Sequence, residues 1–210
     1  MPKTKTVSLP SVRPYHHGDL RNALVQAGVG LLAEAGVHAL SLREVARRAG
    51  VSATAPYRHF ESKDSLLAAI AEEGFITLIQ MENKAMAQFP GDPLLQIRAK
   101  STAYINFCLS HPEHMRIMFG GILAKPDTPE SLRQKAGEAF STLKGLISAC
   151  QQNGHFRKRD IDQQALTWWA TGHGLAMIML NNCLPQSDAP KDCDGLMQWV
   201  VEPMLEGFMV

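Results

Sequence analysis

Side chains that can read DNA bases are concentrated between Ser41 and Lys63. Arg43 stands near the start of one short predicted helix, and the sequence Ser52-Ala53-Thr54 opens the next. The small side chains at that second helix start would let it lie deep in the major groove, where Thr54 can bind a base edge or contact a thymine methyl group. Arg43 is the best-placed residue for a long base contact. We therefore predict that this segment contacts DNA.

Three further side chains are suited to holding phosphate. Tyr57 and His59 can each donate a hydrogen bond, and Lys63 carries a positive charge in the first turn of the following predicted helix. The amide groups at a helix N-terminus also point towards anions, so Lys63 and this helix end would act together. We predict phosphate contacts from all three residues, and a core position for the Tyr57 ring is the alternative.

The charge distribution agrees with a nucleic-acid surface near the N-terminus, although the chain of 210 residues has a net charge of only +1. Residues 1–65 contain nine Lys and Arg against five Asp and Glu, whereas residues 66–210 contain twelve against fifteen. Positive charge is thus concentrated where phosphate is expected, and the rest of the chain is mildly acidic. An ordinary solvated face is the alternative explanation of this charge.

Sequence motifs that indicate catalysis or a metal site are absent. We find no nucleophile elbow, no P-loop and no glycine-rich dinucleotide fingerprint, and therefore predict neither an enzyme nor a cofactor. The pairs His16-His17 and His111-x-x-His114 lack further ligands at suitable spacing, so no metal site is predicted. Four cysteines without C-x-x-C spacing, and no apolar run of membrane length, favour a cytoplasmic protein.

Two short helices must position the DNA-reading side chains as a helix-turn-helix. Ser41 and Glu44 have the spacing of a capping box, in which each side chain binds the other residue's backbone amide. The helix that begins there ends at Gly50, and Ser52 is placed to cap a second short helix. Pro56 lies inside this second helix, where it must occupy the first turn or distort it.

The remaining chain also has helical rather than strand-like apolar periodicity, so the fold is predicted to be all-α. Residues 1–14 are polar with three prolines and are predicted to form a flexible arm. Gly, Pro and Asn breaks separate predicted helices at about 20–35, 63–88, 94–110, 112–119, 130–153, 161–184 and 195–209.

Three segments of the head form a recognisable motif: Leu42-Arg43-Glu44-Val45-Ala46-Arg47-Arg48-Ala49-Gly50-Val51-Ser52, Tyr57-Arg58-His59-Phe60 and Lys63-Asp64-Ser65-Leu66. With them, the chain over about residues 15–75 resembles the DNA-binding domain of the tetracycline-repressor (TetR) family. The opening Tyr15-His16-His17-Gly18-Asp19-Leu20 is typical of a large subgroup of that family. Ala55-Pro56 departs from the common family pattern of Gly or Thr followed by Leu.

This resemblance implies a DNA-binding head of three helices at 15–65 and a body of about six helices at 66–210. The body would bind a small-molecule effector and form a homodimer, whose two heads read a near-palindromic operator with half-sites about 34–36 Å apart or more. The last two helices, which carry Trp168, Trp199, Met204 and Phe208, would form the dimer interface. Carried over by position, the residues facing DNA are Arg43, Ser52, Ala53, Thr54, Tyr57, His59 and Lys63.

A ligand pocket is predicted from side chains that share helix faces in the body. Trp169-x-x-x-His173-Gly174 resembles the signature of one type of C-terminal domain in the family, and helical spacing places Trp169 and His173 on one face. Aromatic and Met side chains with a few polar tips are typical of small-molecule pockets, and equally of ordinary cores. The predicted pocket residues are Tyr104, Phe107, Cys108, Met118, Trp169, His173 and Met177.

The resemblance further implies repression that a small molecule relieves. We expect effector binding to move the helix at 63–88 and so change the spacing of the two heads, with a coupling of about 1–3 kcal/mol. The alternative is a constitutive or protein-partnered DNA-binding regulator whose body only dimerises.

Overall fold

The computed structural model describes residues 20–184, 190 and 192–210, and over these residues the all-α prediction is confirmed. The predicted arm at 1–14 and the opening Tyr15–Asp19 lie outside the described residues. Two short 3-10 helices lie at Pro56–Arg58 and Ile122–Ala124. The α-helices are α1 (Leu20–Ala39), α2 (Leu42–Ala49), α3 (Lys63–Met86), α4 (Pro93–Ser110), α5 (Pro112–Met118), α6 (Glu130–Gln152), α7 (Ile161–Leu180) and α8 (Cys193–Phe208).

The N-terminus of α2 carries half of the predicted capping box. The hydroxyl of Ser41 accepts a hydrogen bond from the Glu44 amide at 3.2 Å. The Glu44 carboxylate does not reach back, because it binds the Arg47 guanidinium in charge-assisted hydrogen bonds one turn further along. Gly50 closes the helix as expected, with a φ of 69° that favours glycine.

The second helix of the helix-turn-helix is much shorter than predicted. It is a single 3-10 turn at Pro56–Arg58, and residues before it form turns, with the Ala55 amide donating to the Ser52 carbonyl at 3.0 Å. The prediction that Ser52 caps this helix is wrong, because the Ser52 hydroxyl instead lies 3.2 Å from the Thr54 hydroxyl. Pro56 explains the difference: it has no amide hydrogen and suits the first helical position, so the helix begins there.

Helix α3 is the central element of the molecule. It packs against α1, α4, α5 and α6, and the side chains of Leu66, Ile70, Phe75 and Leu78 are buried along it. Gly74 lets α5 approach closely, since a Cβ atom there would lie only 2.5 Å from the Met118 sulfur. The boundary expected at residue 65 falls inside this helix, so the division into head and body stays a prediction.

Two buried apolar clusters form the core. The first follows α3 and includes side chains from α1 to α8. The second joins α4, α6, α7 and α8, and at its centre the rings of Phe156, Trp168 and Phe208 lie 5.7–6.0 Å apart. Trp168 and Phe208 are therefore buried within their own chain, which corrects the expectation that they face a second copy.

Within the described residues, no helix has the combination of length and apolar character that crossing a membrane requires.

Replacing Ser41 by Ala removes the hydrogen bond that begins α2 and should lower the free energy of unfolding by about 0.5–2 kcal/mol. Glu44→Ala is the matched comparison and should cost less, because its carboxylate contributes an exposed ion pair and no cap. Urea denaturation followed by circular dichroism measures both changes. Equal losses would show that Glu44 also caps the helix.

Candidate nucleic-acid interface and internal cavity

The predicted DNA-contacting residues lie together on α2, on the turns after it and around the 3-10 helix. Tyr57 is 52% exposed, which excludes the alternative of a core aromatic ring. Lys63 is half-buried at the start of α3. The remaining predicted contacts are all exposed: Arg43, Ser52, Ala53, Thr54 and His59.

The three arginines of α2 differ in whether their guanidinium groups are paired within the chain or available to DNA. Arg47 pairs with Glu44, and Arg48 binds Glu34 of α1 through two hydrogen bonds of 2.5 and 2.8 Å. The hydrogen bond between Arg48 and Glu34 raises the pKa of the guanidinium and lowers that of the carboxyl group. Arg43 is exposed on α2, so its guanidinium is available to DNA.

Lys63 has a structural contact that sequence reasoning missed. Its ammonium group donates a hydrogen bond to the backbone carbonyl of Val37, near the end of α1. The adjacent Asp64 forms a salt bridge with Lys125 in the loop before α6. The start of α3 is thus held from two sides, and a phosphate contact by Lys63 requires its ammonium to share or leave the Val37 carbonyl.

A cavity of about 390 Å³ lies between α3, α4, α6, α7 and α8. Its volume is in the range of small-molecule sites. The exposed Leu166 is one of its lining residues, so the cavity reaches the surface there. The lining is mostly apolar, with six aromatic residues: Phe75, Tyr104, Phe119, Phe140, Trp168 and Trp169.

A buried ion pair forms the main polar part of the cavity wall. The Lys100 ammonium of α4 donates to the Glu82 carboxylate of α3, and the two residues are only 6% and 3% exposed. Burial raises the pKa of Glu82 and lowers that of Lys100, while their mutual attraction opposes both changes. The pair therefore places two opposite charges, with no net charge, beside an apolar space.

A second polar contact joins the cavity wall to His173 of the Trp169-x-x-x-His173-Gly174 motif. The Tyr104 hydroxyl lies 2.8 Å from Nδ1 of His173, and the His173 ring stacks on Trp169 at a centroid distance of 5.2 Å. Burial raises the pKa of Tyr104 and lowers that of His173, so both groups favour their neutral forms.

The structure brings together some of the predicted pocket residues and separates others. Tyr104 and Trp169 line the cavity, and His173 stands directly behind them. Met177 is half-buried against the first apolar cluster. The side chains that are buried without lining the cavity are Phe107, Cys108 and Met118.

Helix–helix packing explains this separation. Phe107 stacks on His111 at 4.8 Å, the Cys108 sulfur lies 3.4 Å from the Met115 sulfur, and Met118 packs against Gly74 of α3. These three side chains therefore fill the core around α5 instead of the space beside α7. Burial also raises the pKa of the Cys108 thiol to about 12, so it stays protonated.

Sequence reasoning missed the contribution of α3 to the cavity, namely Phe75, Leu78 and Glu82, and the partner Lys100 on α4. A signal was present: Glu82 continues the apolar stripe of Phe75 and Leu78, and Lys100 lies four residues before Tyr104 on one helix face. A charged residue within an apolar stripe must be paired if it is buried.

Comparison with protein families gives two matches that together cover most of the chain. The model described as bacterial regulatory proteins of the tetR family matches residues 24–70. The model described as tetracyclin repressor-like, C-terminal domain, matches residues 97–204, which is more than half of the chain. The HTH-type transcriptional regulator AcrR of Shigella flexneri is 35% identical over 80 residues. That match covers 38% of this chain and 37% of the relative.

Similar solved structures span nearly the whole chain. A protein of unknown function from a Rhodococcus species is 29% identical with a TM-score of 0.82, and the match covers 95% of this chain and all of that one. The TetR family regulator PfmR of Thermus thermophilus is 18% identical with a TM-score of 0.66, covering 87% and 96%. The ketosteroid regulator KstR2 of Mycobacterium tuberculosis is 16% identical with a TM-score of 0.64, covering 93% and 97%. The last two show likeness of fold alone.

The pKa of His173 should lie below the ordinary value of about 6.5, because burial disfavours its charged form. The imidazole would then be neutral at pH 7. Since the unfolded chain binds this proton more tightly, protonation should destabilise the fold as the pH falls below about 6.5. An NMR titration of the imidazole signals, assigned with His173→Gln, measures the pKa. A value at or above 6.5 would contradict the burial argument.

Proposed function

This chain belongs to the TetR family of bacterial regulatory proteins, and on that premise we propose that it is a homodimeric repressor released from DNA by a small molecule. It is a DNA-binding transcriptional regulator and not an enzyme. The observation that carries the finer proposal is the course of α3. This one helix begins beside the exposed residues of the helix-turn-helix and also forms part of the wall of the internal cavity.

DNA binding is assigned to the exposed surface of α2 and the 3-10 helix. In a helix-turn-helix the first helix crosses the backbone, and the N-terminal residues of the second element contact base edges. Here the turn residues Ser52, Ala53 and Thr54 take that second position, because the 3-10 helix begins only at Pro56. Arg43 reaches towards a base, while Tyr57, His59 and Lys63 hold phosphate.

Effector release is assigned to movement of α3. From Lys63 to Glu82 the helix extends about 28 Å, at about 1.5 Å per residue. A ligand that changes the packing around Phe75 or Glu82 therefore displaces the end of α3 that is bonded to Val37 of α1. A coupling of about 1–3 kcal/mol would change operator affinity about 5- to 150-fold. The cavity favours this sensor over a constitutive regulator whose body only dimerises.

Dimerisation is assigned to the outer surfaces of α7 and α8. Ile178 on α7 and Trp199 on α8 are large apolar side chains that stay exposed in the single chain, Trp199 to 55%. Two copies related by a twofold axis would bury such side chains and present two heads to the two halves of a near-palindrome.

Substitutions in the head should separate base contacts from phosphate contacts. Thr54→Ala and Arg43→Ala should change which base is preferred, at about 1–3 kcal/mol for each affected position. Tyr57→Phe and Lys63→Ala should instead weaken binding to all DNA sequences similarly. Lys63→Ala should also reduce the slope of the logarithm of the binding constant against the logarithm of the salt concentration by about one. Sequences selected by each variant from a random duplex pool, and gel shifts on the best of them and its single-base variants at two salt concentrations, measure these effects. An unchanged selected sequence with Thr54→Ala would refute the placement of the turn in the groove.

The test of the whole proposal is selection of bound sequences from a random duplex pool, followed by gel shift and measurement of the mass of the complex. We expect enrichment of a near-palindrome bound by two copies of the chain. Compounds that bind the cavity should then lower the affinity for this operator. Only weak, salt-sensitive binding without sequence preference would contradict the repressor proposal, and unchanged operator affinity with every bound compound would contradict release.

A further inference from the structure

We propose that the cavity selects an uncharged ligand built on aromatic or fused rings, and that the Glu82–Lys100 pair sets this selectivity. The inference rests on the proposed function in taking the cavity to be the effector site. It concerns the chemical class of the ligand and the residues that determine it.

The charges of the cavity wall are balanced before any ligand enters. Lys100 and Glu82 are directly paired, and both are almost completely buried. An anionic ligand drawn to Lys100 would lie next to the Glu82 carboxylate, and a cationic ligand drawn to Glu82 would lie next to the Lys100 ammonium. Either ligand would also lose its hydration in a mostly apolar space, where an unpaired charge is costly. The paired wall therefore disfavours both signs of charge.

Two further polar side chains of the wall, Tyr104 and Ser101, also have partners within the chain. The Tyr104 hydroxyl is bonded to His173. The Ser101 hydroxyl donates to the Ile97 carbonyl and accepts from the indole nitrogen of Trp168 at 2.9 Å. A ligand thus meets few unsatisfied donors or acceptors, so apolar contact must supply most of its binding free energy.

The shape of the lining favours rings. Six aromatic side chains surround the space, and the rings of Phe119 and Phe140 lie 5.8 and 6.4 Å from that of Trp169. Offset and edge-to-face contacts between aromatic groups add to simple burial, so flat ring systems gain more here than flexible chains.

Three fluorescent probes of nearly equal size test the charge selectivity. These are 1-anilinonaphthalene-8-sulfonamide, which is uncharged, the corresponding 8-sulfonate, which is an anion, and the 8-aminomethyl analogue, which is a cation. With the full-length protein at pH 7, we expect the sulfonamide to bind at least tenfold more tightly than either charged probe. Equal or tighter binding of a charged probe, or no binding of any probe, would overturn the inference.

Glu82→Gln should change this selectivity because Lys100 loses its counter-charge, and a bound sulfonate can then supply the negative charge that keeps the buried ammonium protonated. The affinity for the sulfonate relative to the sulfonamide should rise at least tenfold. Lys100→Met is the matched control and should give no such rise. The buried Glu82 left without a partner takes up a proton, so the cavity wall then carries no charge that attracts the sulfonate. Circular dichroism checks that both variants fold. An unchanged ratio with folded Glu82→Gln would show that the pair does not set the selectivity.

Two further variants on α6 locate the bound probe. Ala139→Trp places a large ring in the cavity and should reduce sulfonamide affinity at least tenfold, whereas Gln134→Trp on the exposed side of the same helix should leave it unchanged. Equal effects of the two substitutions would place the probe outside the cavity and overturn the inference.

The operator gel shift keeps the two proposals separable. A probe that binds with the expected selectivity but leaves DNA affinity unchanged would contradict effector release and leave the ligand class standing. Release of the protein from DNA by charged and uncharged probes alike would support effector release and contradict the proposed ligand class.

Discussion

Burial of α3 on several sides is the constraint on which the rest of this structure depends. Leu66 and Ile70 pack against Gly28 of α1, whereas Phe75 and Leu78 line the cavity, and all four belong to one apolar cluster. Protein interiors are close-packed and resist continuous deformation. A change of packing at one end of α3 therefore has to be accommodated along the helix. The proposed coupling of DNA binding to effector binding depends on this one buried helix.

The proposed DNA-reading surface is joined to this core by a few polar contacts. Arg48 joins α2 to Glu34 of α1, and Lys63 joins the start of α3 to the carbonyl of Val37. Arg48 and Lys63 are among the positive residues near the N-terminus that a count of charges alone would assign to DNA phosphate. Arg43 and Tyr57, by contrast, extend into solvent. In the proposed interface, Arg48 holds the helices of the head together, Arg43 and Tyr57 meet DNA, and Lys63 is placed to do both.

The cavity keeps an unusual balance between apolar lining and buried charge. An unpaired Lys100 or Glu82 would be too costly beside six aromatic rings, so each residue stabilises the charged form of the other. Tyr104 and His173 form a second self-contained pair of neutral groups. If this cavity is the effector site, as proposed, shape and apolar contact are the main basis of ligand recognition.

Much of the head could be predicted from the sequence because its determinants are local. The Ser41 cap, the Gly50 turn and the exposed Thr54 and Tyr57 depend on backbone geometry and on spacing within a few residues. Pro56 is recognisable in the sequence as a disturbance of the second helix. Its result, a 3-10 turn in place of an α-helix, is visible only in the folded chain.

The cavity could be predicted only in part. Helical periodicity identifies an apolar face, as for Tyr104 and Trp169, but it does not say which other helix covers that face. Phe107 and Cys108 share the face of Tyr104 by spacing, yet α5 covers them. Trp168 is enclosed by aromatic rings of its own chain. Sequence by itself determined the α-helices and the position of the helix-turn-helix along the chain, because those rest on neighbouring residues. Only the tertiary structure decided which side chains enclose a space, because that requires contacts between helices far apart in sequence.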